Sequence, residues 1–170
     1  MKSHENLFFS SAVISGIHFK IFSTQKGIRN IYLNKKNALS NVKGLTQLHN
    51  DDPLMYNVFS ELTEYFDLKR KKFSVPLDEI GTEFQKQIWK ELRKVPYGKT
   101  VSYKDIAIRI DNLEAIRAVG QAMGANPIPI ITPCHRVINS NGHLGGYSAG
   151  LKIKEKLLEL EGWISLELFN

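Results

Sequence analysis

A chain of 170 residues, 42% hydrophobic and 24% charged, has material for one or two small domains with real cores and the make-up of an ordinary globular protein. No apolar run approaches the roughly 20 residues that span a bilayer, and the charged and polar residues of the opening MKSHENLFFSSAV spoil a signal-peptide reading, so a cytoplasmic protein is expected. The net charge of +6 admits a polyanionic partner, but the basic surplus is shared equally between the two halves and does not say which half would meet it.

The first third reads as β structure. Leu7 to Ile14, Ile17 to Ser23 and Ile28 to Leu33 are rich in β-branched and aromatic residues, and the turn-like Ser15-Gly16 and Gln25-Lys26-Gly27 separate them. A three-stranded antiparallel meander follows. Lys35 to Asp52 is polar and Asn-rich and reads as irregular. Pro53 opens an amphipathic helix with Leu54, Val58, Leu62 and Phe66 on one face and Tyr65 beside it. Lys69-Arg70-Lys71-Lys72 reads as a solvated helix end favoured by the macrodipole, and Phe73 to Leu77 as one more short strand.

A boundary is expected between Asp78 and Gly81, dividing the chain into residues 1–79 and 80–170. Beyond it the pattern turns helical. Thr82 caps a helix with Phe84, Ile88, Trp89 and Leu92 on its apolar face, and Val95-Pro96-Tyr97-Gly98 ends it. Ser102 caps a short helix, Tyr103 to Ile110; Asp111-Asn112 turns the chain into a third, Leu113 to Ala125. Two short helices across a tight turn have the layout of a helix-turn-helix unit. Gly120 and Gly124 within the third helix each cost roughly 1 kcal/mol relative to Ala, so close approach of another body is expected. That body is either a helix of the core or a DNA groove, with Arg117 as the one long polar arm.

Asn126 to Pro133 holds three prolines and reads as a stiff extended connector that stops at Cys134. Cys134 is the only cysteine, which excludes an internal disulfide and any zinc site built on several thiolates; His4, His18, His49, His135 and His143 show no paired metal spacing, so neither a metal nor a cofactor is expected. A lone cysteine is most often a small buried hydrophobe. Three features favour chemistry instead: the proline-rich approach, the adjoining His135, and the glycine-rich loop Asn141 to Gly150. At a helix start, unpaired N–H groups favour thiolate. Neighbours on a helix point about 100° apart, so a water is expected to relay the proton between Cys134 and His135. The last helix, Leu151 to Glu161, offers Glu155, Glu159 and Glu161 as partners for the imidazole, and the residues alone do not choose among them.

Gly81–Gly98, Val101-Ser102-Tyr103, Arg117-Ala118-Val119-Gly120, Asn126-Pro127, Ile130–Val137 and Gly145–Leu151 together resemble the O6-alkylguanine-DNA alkyltransferase family, the Pro-Cys-His-Arg-Val core being the most specific part. The resemblance covers roughly residues 74–162; the first third matches only in its strand-then-helix layout. It implies a two-domain α+β protein: a ribonuclease-H-like α/β domain with a small antiparallel sheet, then a helical, winged-helix or helix-turn-helix-like domain. It implies a monomer without cofactor that binds double-stranded DNA from the minor groove, flips the damaged nucleotide, and moves an alkyl group irreversibly from O6 of guanine, and from O4 of thymine, onto Cys134.

By the same resemblance His135 is the base, Glu161 its carboxylate partner and Asn126 the brace of the active-site segment. Tyr103 helps turn the nucleotide out and donates to the base. Arg117 intercalates, Ala118, Gly120 and Arg136 meet DNA, and Gly146, Tyr147 and Ser148 line the pocket. The alkylated protein is expected to be destabilised by crowding. Relatives with structural zinc bind it through first-domain cysteines, which this chain lacks. A relative that recognises alkylated DNA without chemistry is the alternative, and the presence of Cys134 weighs against it. A thiol hydrolase and a sequence-specific transcription factor stand further off.

Overall fold

A computed structural model describes residues 6–35, 38 and 44–163. The chain forms two compact units, residues 1–80 and 81–170.

In the first unit, β1 (Leu7–Ile14), β2 (Ile17–Thr24) and β3 (Gly27–Leu33) form the antiparallel meander. A fourth strand, β4 (Leu45–Gln47), lies parallel to β1, giving the order β3-β2-β1-β4. The sheet is therefore mixed, not wholly antiparallel. The segment read as irregular holds a strand because pairing with the edge of β1 overrides the weak local pattern of Leu45-Thr46-Gln47. Residues 36, 37 and 39–43 of that segment lie outside the described ones.

Asp52 caps α1 (Pro53–Phe66), its side chain accepting from the Leu54 N–H, and Pro53 needs no donor in the first turn. The buried face is Met55, Val58, Phe59, Leu62, Tyr65 and Phe66; Phe66 meets Phe19 of β2 edge-on at 6.0 Å between centroids. Two expectations need correction. Arg70 is not a solvated charge: it pairs with Glu64 at 2.8 Å and with Glu61 at 3.4 Å. Phe73 to Leu77 is not a strand but runs beside β3 through one bridge, Ile28 to Leu77. Gly27 permits that approach, since a Cβ there would stand 2.4 Å from the Pro76 carbonyl oxygen.

In the second unit, α2 (Glu83–Leu92) starts with a full capping box between Thr82 and Gln85. β5 (Val101–Ser102) leads into α3 (Tyr103–Arg109), whose capping box joins Ser102 and Asp105. Residues Leu113–Ala115 form a 3-10 turn and α4 runs only over Ile116–Gly124; the Asn112 side chain that would cap a longer helix makes no capping hydrogen bond. A second 3-10 turn, Cys134–Arg136, runs into β6 (Val137–Ile138), which pairs parallel with β5; α5 is Leu151–Leu160. Ile88, Trp89, Leu92, Ile106, Val119, Met123 and Val137 form the core, and the Trp89 indole N–H donates to the Ala122 carbonyl at 2.8 Å, tying α2 to α4. Among the described residues no helix is long and apolar enough to cross a membrane.

Candidate active site

The connector before the cysteine is folded, not extended. Thr132 N–H donates to the Ile128 carbonyl at 2.9 Å, Pro129 bridges Thr132, and Ile130 sits at φ 75°. Prolines exclude a helix here but not a tight turn. A β-branched residue in the left-handed region is strained by about 1–3 kcal/mol, and burial of Ile130 in its turn holds it there. Asn126 closes this turn with every polar atom of its amide. Its Oδ1 accepts from Ile128 N–H at 3.0 Å, and its Nδ2 donates to the Thr132 carbonyl at 2.8 Å and to Cys134 Sγ at 3.1 Å.

Cys134 is 7% exposed, and its sulfur forms part of the wall of a cavity of about 380 Å³ with Tyr103, Gly120, Met123, Gly124, Gly146, Tyr147 and Ser148. That volume is in the range of small-ligand clefts, roughly 300–1,000 Å³. Burial pushes the thiol's pKa up, against the Asn126 hydrogen bond, the Lys154 charge and the backbone N–H groups of Cys134 and His135. The expectation that a helix start would hold the sulfur ionised is thus corrected. The turn has three residues, too short for much dipole, and desolvation wins. The resting sulfur is a thiol, and a base must take its proton.

His135 is fully buried, with Nε2 2.9 Å from Glu161 Oε1. Burial would raise the carboxyl pKa, but hydrogen bonds from His135 and Arg136 and their charges outweigh it, and the value falls to about 2. Against a permanent carboxylate His135 adopts the Nε2–H tautomer, so Nδ1 is the basic nitrogen. Nδ1 is buried with no hydrogen-bonding partner among the described residues. Burial lowers the His135 pKa more than Glu161 raises it, so the imidazole is neutral near pH 7. Tyr103 and Tyr147 are raised, first by burial and then by the Cys134 charge, and stay protonated donors. A soft nucleophile, a neutral base oriented by a carboxylate, and phenol donors around one cavity are parts for nucleophilic displacement.

Residues 18–79 match the 6-O-methylguanine DNA methyltransferase ribonuclease-like domain, and residues 83–163 match the DNA binding domain of the same family. The inducible methylated-DNA–protein-cysteine methyltransferase of Bacillus subtilis is 41% identical over 172 residues, covering 95% of this chain and 94% of its own. This chain belongs to that family. The crystal structure of Mycobacterium tuberculosis O6-methylguanine methyltransferase superposes with a TM-score of 0.83 at 34% identity, over 96% of this chain and 99% of the other. The Mycobacterium tuberculosis OGT in complex with DNA gives 0.79 at 35% identity, over 97% and 99%.

As a member of the 6-O-methylguanine DNA methyltransferase family, the chain gathers most of the residues the sequence singled out. Cys134 is hydrogen-bonded to Asn126 and the adjoining His135 to Glu161, two pairs brought together by the chain, and Glu155 and Glu159 are not the imidazole's partners. Tyr103, Gly120, Gly146, Tyr147 and Ser148 line the cavity. On α4, Val119, Ala122 and Met123 face the core; Arg117 is exposed and Ala118 half-buried. Gly124 faces open space and Gly120 has only the Tyr103 ring at 3.8 Å, so helix packing does not demand either glycine.

Arg136 is the exception. It was assigned to DNA, yet it is 5% exposed and its guanidinium binds Glu161 and the Val95 carbonyl, so no part of it is presented to a groove. Sequence reasoning also missed Lys154. This fully buried ammonium donates to the carbonyls of Val137 at 2.6 Å and Leu144, holding the loop that carries Gly146 to Ser148 against β6; burial lowers its pKa to about 8. The signal was present, since Lys154 stands three and four residues before Leu157 and Leu158 on the apolar stripe of α5. Arg93, donating to Thr132 Oγ1 at 2.9 Å, supports the connector from α2 and left no such mark in the pattern.

Proposed function

We propose that this protein repairs double-stranded DNA by transferring an alkyl group from O6 of guanine to Cys134, once per molecule. The observation that carries the reading is the place of the sulfur. It stands in the wall of a cavity whose rim is α4, and its sequence neighbour is an imidazole oriented by a carboxylate.

The target atom is hidden in a duplex, so the nucleotide is turned out of the stack at a cost of a few kcal/mol. Arg117 fills the space left behind, and Ala118, Gly120 and Gly124 let α4 approach the minor groove. The purine enters between Tyr147, Ser148 and Tyr103. The thiol proton passes through one water to His135 Nδ1, and Glu161 stabilises the imidazolium. The sulfur lone pair attacks the alkyl carbon; the C–S bond forms, the C–O6 bond breaks, and its electron pair stays on the guanine, where Tyr103 O–H donates to the developing charge. Overall the thiol's proton replaces the alkyl group on the purine. The chain holds no second thiol to reverse the thioether, so turnover stops at one.

Intact-mass measurement after mixing with duplex DNA containing O6-methylguanine tests the reading. One methyl per molecule is expected, and Cys134→Ala abolishes it while leaving DNA affinity largely intact. Protein that gains no methyl mass sinks the assignment. O4-methylthymine in the same duplex tests the second substrate, and sedimentation tests the monomer.

A further inference from the structure

Glu161, where the relay ends, is also gripped from a side that touches neither the sulfur nor the cavity. Arg136 Nε donates to Oε2 at 2.9 Å and Nη2 to Oε1 at 2.9 Å, the bidentate fork that fixes a carboxylate plane. Its Nη1 donates to the Val95 carbonyl at 2.7 Å and its guanidinium lies 5.9 Å from the centre of the Tyr97 ring. The Gly98 N–H donates to Glu161 Oε2 at 3.0 Å, and Tyr97 O–H to the Leu160 carbonyl at 3.0 Å. Gly98 has φ 72° and a Cβ there would stand 2.8 Å from the Glu161 carbonyl oxygen, so this turn is shaped for the carboxylate's own residue. The Val95–Gly98 turn thus does more than end α2.

Resting on the function proposed above, we propose that Arg136 is a positioning residue of the proton relay. Seated on the Val95–Gly98 turn, it locks Glu161 so that Oε1 is held on His135 Nε2 and Nδ1 is left to take the Cys134 proton. A carboxylate held only by the imidazole would be free to rotate about its last bond; one saturated by Arg136 and Gly98 is not. The fork also keeps Glu161 anionic when His135 is protonated, so the proton stops on the imidazole. A buried ion pair is a poor source of stability compared with apolar packing, so stability alone gives no reason for a buried arginine here.

The sign of the pH effect follows from the charges facing His135. These are Glu161 at the end of α5, Lys154 on α5 and Arg136 on its own turn; Cys134 on that turn rests as a neutral thiol, and Tyr97, facing Glu161 from the turn after α2, is a neutral phenol. Arg136 and Lys154 oppose protonation of the imidazole, and Glu161 favours it. Removing the Arg136 charge makes the imidazole, the base that takes the thiol proton, harder to deprotonate, which moves the acid limb of the rate profile to higher pH.

The experiment compares wild type, Arg136→Met and Arg136→Lys, each checked for folding by thermal melting. Methyl transfer from O6-methylguanine duplex and alkylation of Cys134 by iodoacetamide are followed from pH 5 to 9. Arg136→Met is expected to lower the plateau of transfer by about 10- to 100-fold, by analogy with metal-bound histidines that lose an outer hydrogen-bonding partner, and to shift the limb upward with both reagents. Arg136→Lys, which keeps the charge and loses the fork, is expected to leave the limb in place and fall between the two in plateau. Folded variants with the wild-type plateau and limb overturn the proposal. Should Arg136→Met not fold, Arg136→Lys decides alone, an unchanged plateau overturning the proposal and a reduced one supporting it. Wild type that alkylates with iodoacetamide but takes no methyl from DNA refutes the repair reading, and the iodoacetamide limb then still judges the role of Arg136 in the relay.

Discussion

Asn126→Ala is the most informative single substitution, because the amide serves fold and chemistry together. Truncation removes three hydrogen bonds and leaves the N–H of fully buried Ile128 without the partner Asn126 gave it, while the Thr132 carbonyl keeps the Cys134 N–H at 2.9 Å. The orphaned N–H costs about 1–3 kcal/mol and the lost bond to Thr132 about 0.5–1.5 kcal/mol, so a loss of about 3 kcal/mol is a fair central figure. For a chain of this size 1 kcal/mol corresponds to about 2–4 °C in melting temperature, which puts the expected drop at about 6–12 °C. The sulfur also loses its amide donor, the strongest of the groups that counter its burial, so the thiol becomes harder to ionise and transfer slows. Calorimetry and quenched-flow transfer on the same preparation measure both. Asn126→Asp keeps the acceptor for Ile128 but sets an oxygen against both the Thr132 carbonyl and the sulfur, so transfer should fall below that of Asn126→Ala. A melting point within 2 °C of wild type with an unchanged transfer rate would refute the reasoning.

Arg117→Ala should slow repair of duplex DNA more than reaction with free O6-benzylguanine, if that base is accepted, and equal losses on both would remove Arg117 from the flipping step. Glu161 titrates lower in the folded than in the unfolded chain, so its stabilisation is complete above about 4.5 and is lost as the pH falls toward about 2. Glu161→Gln should therefore be less stable at neutral pH, with the gap to wild type closing on acidification; a gap that stays constant in denaturant titrations between pH 7 and 2.5 contradicts this. Gly81→Ala places a Cβ 2.5 Å from the Trp89 ring, which is buried and hydrogen-bonded, and should destabilise by about 1–3 kcal/mol in urea melts. Methylated protein should melt below the unmodified form, because the added group crowds a sulfur that packs in the core and weakens its contact with Asn126.

The elements that the sequence announced were those governed by local rules. Thr82 and Ser102 cap their helices because a hydroxyl three residues before a Gln or Asp makes a box wherever it stands. The meander was legible from turn residues and alternation. β4 was not, since its three residues are strand only by pairing with β1. The site divides in the same way. Cys134 and His135 were visible by type and adjacency, but whether Glu155, Glu159 or Glu161 would meet the imidazole depends on how α5 returns to the cysteine. Arg136 was misread because an arginine beside a DNA-directed motif looks like a phosphate contact; its burial is decided by Val95 and Glu161, 41 and 25 residues away in sequence. The ionisation of the sulfur was misjudged for the same reason, since a helix start is a local feature and desolvation is not.

The resting protonation of Cys134 bears on how long a molecule survives before it meets a lesion. A reagent consumed by its first reaction is lost equally to peroxide or to a stray electrophile, and such agents attack the ionised form of an accessible sulfur. Kept neutral and nine-tenths shielded, this sulfur should react more slowly with small oxidants than an exposed, ionised one. The desolvation that works against catalysis in the empty protein therefore acts as its preservative.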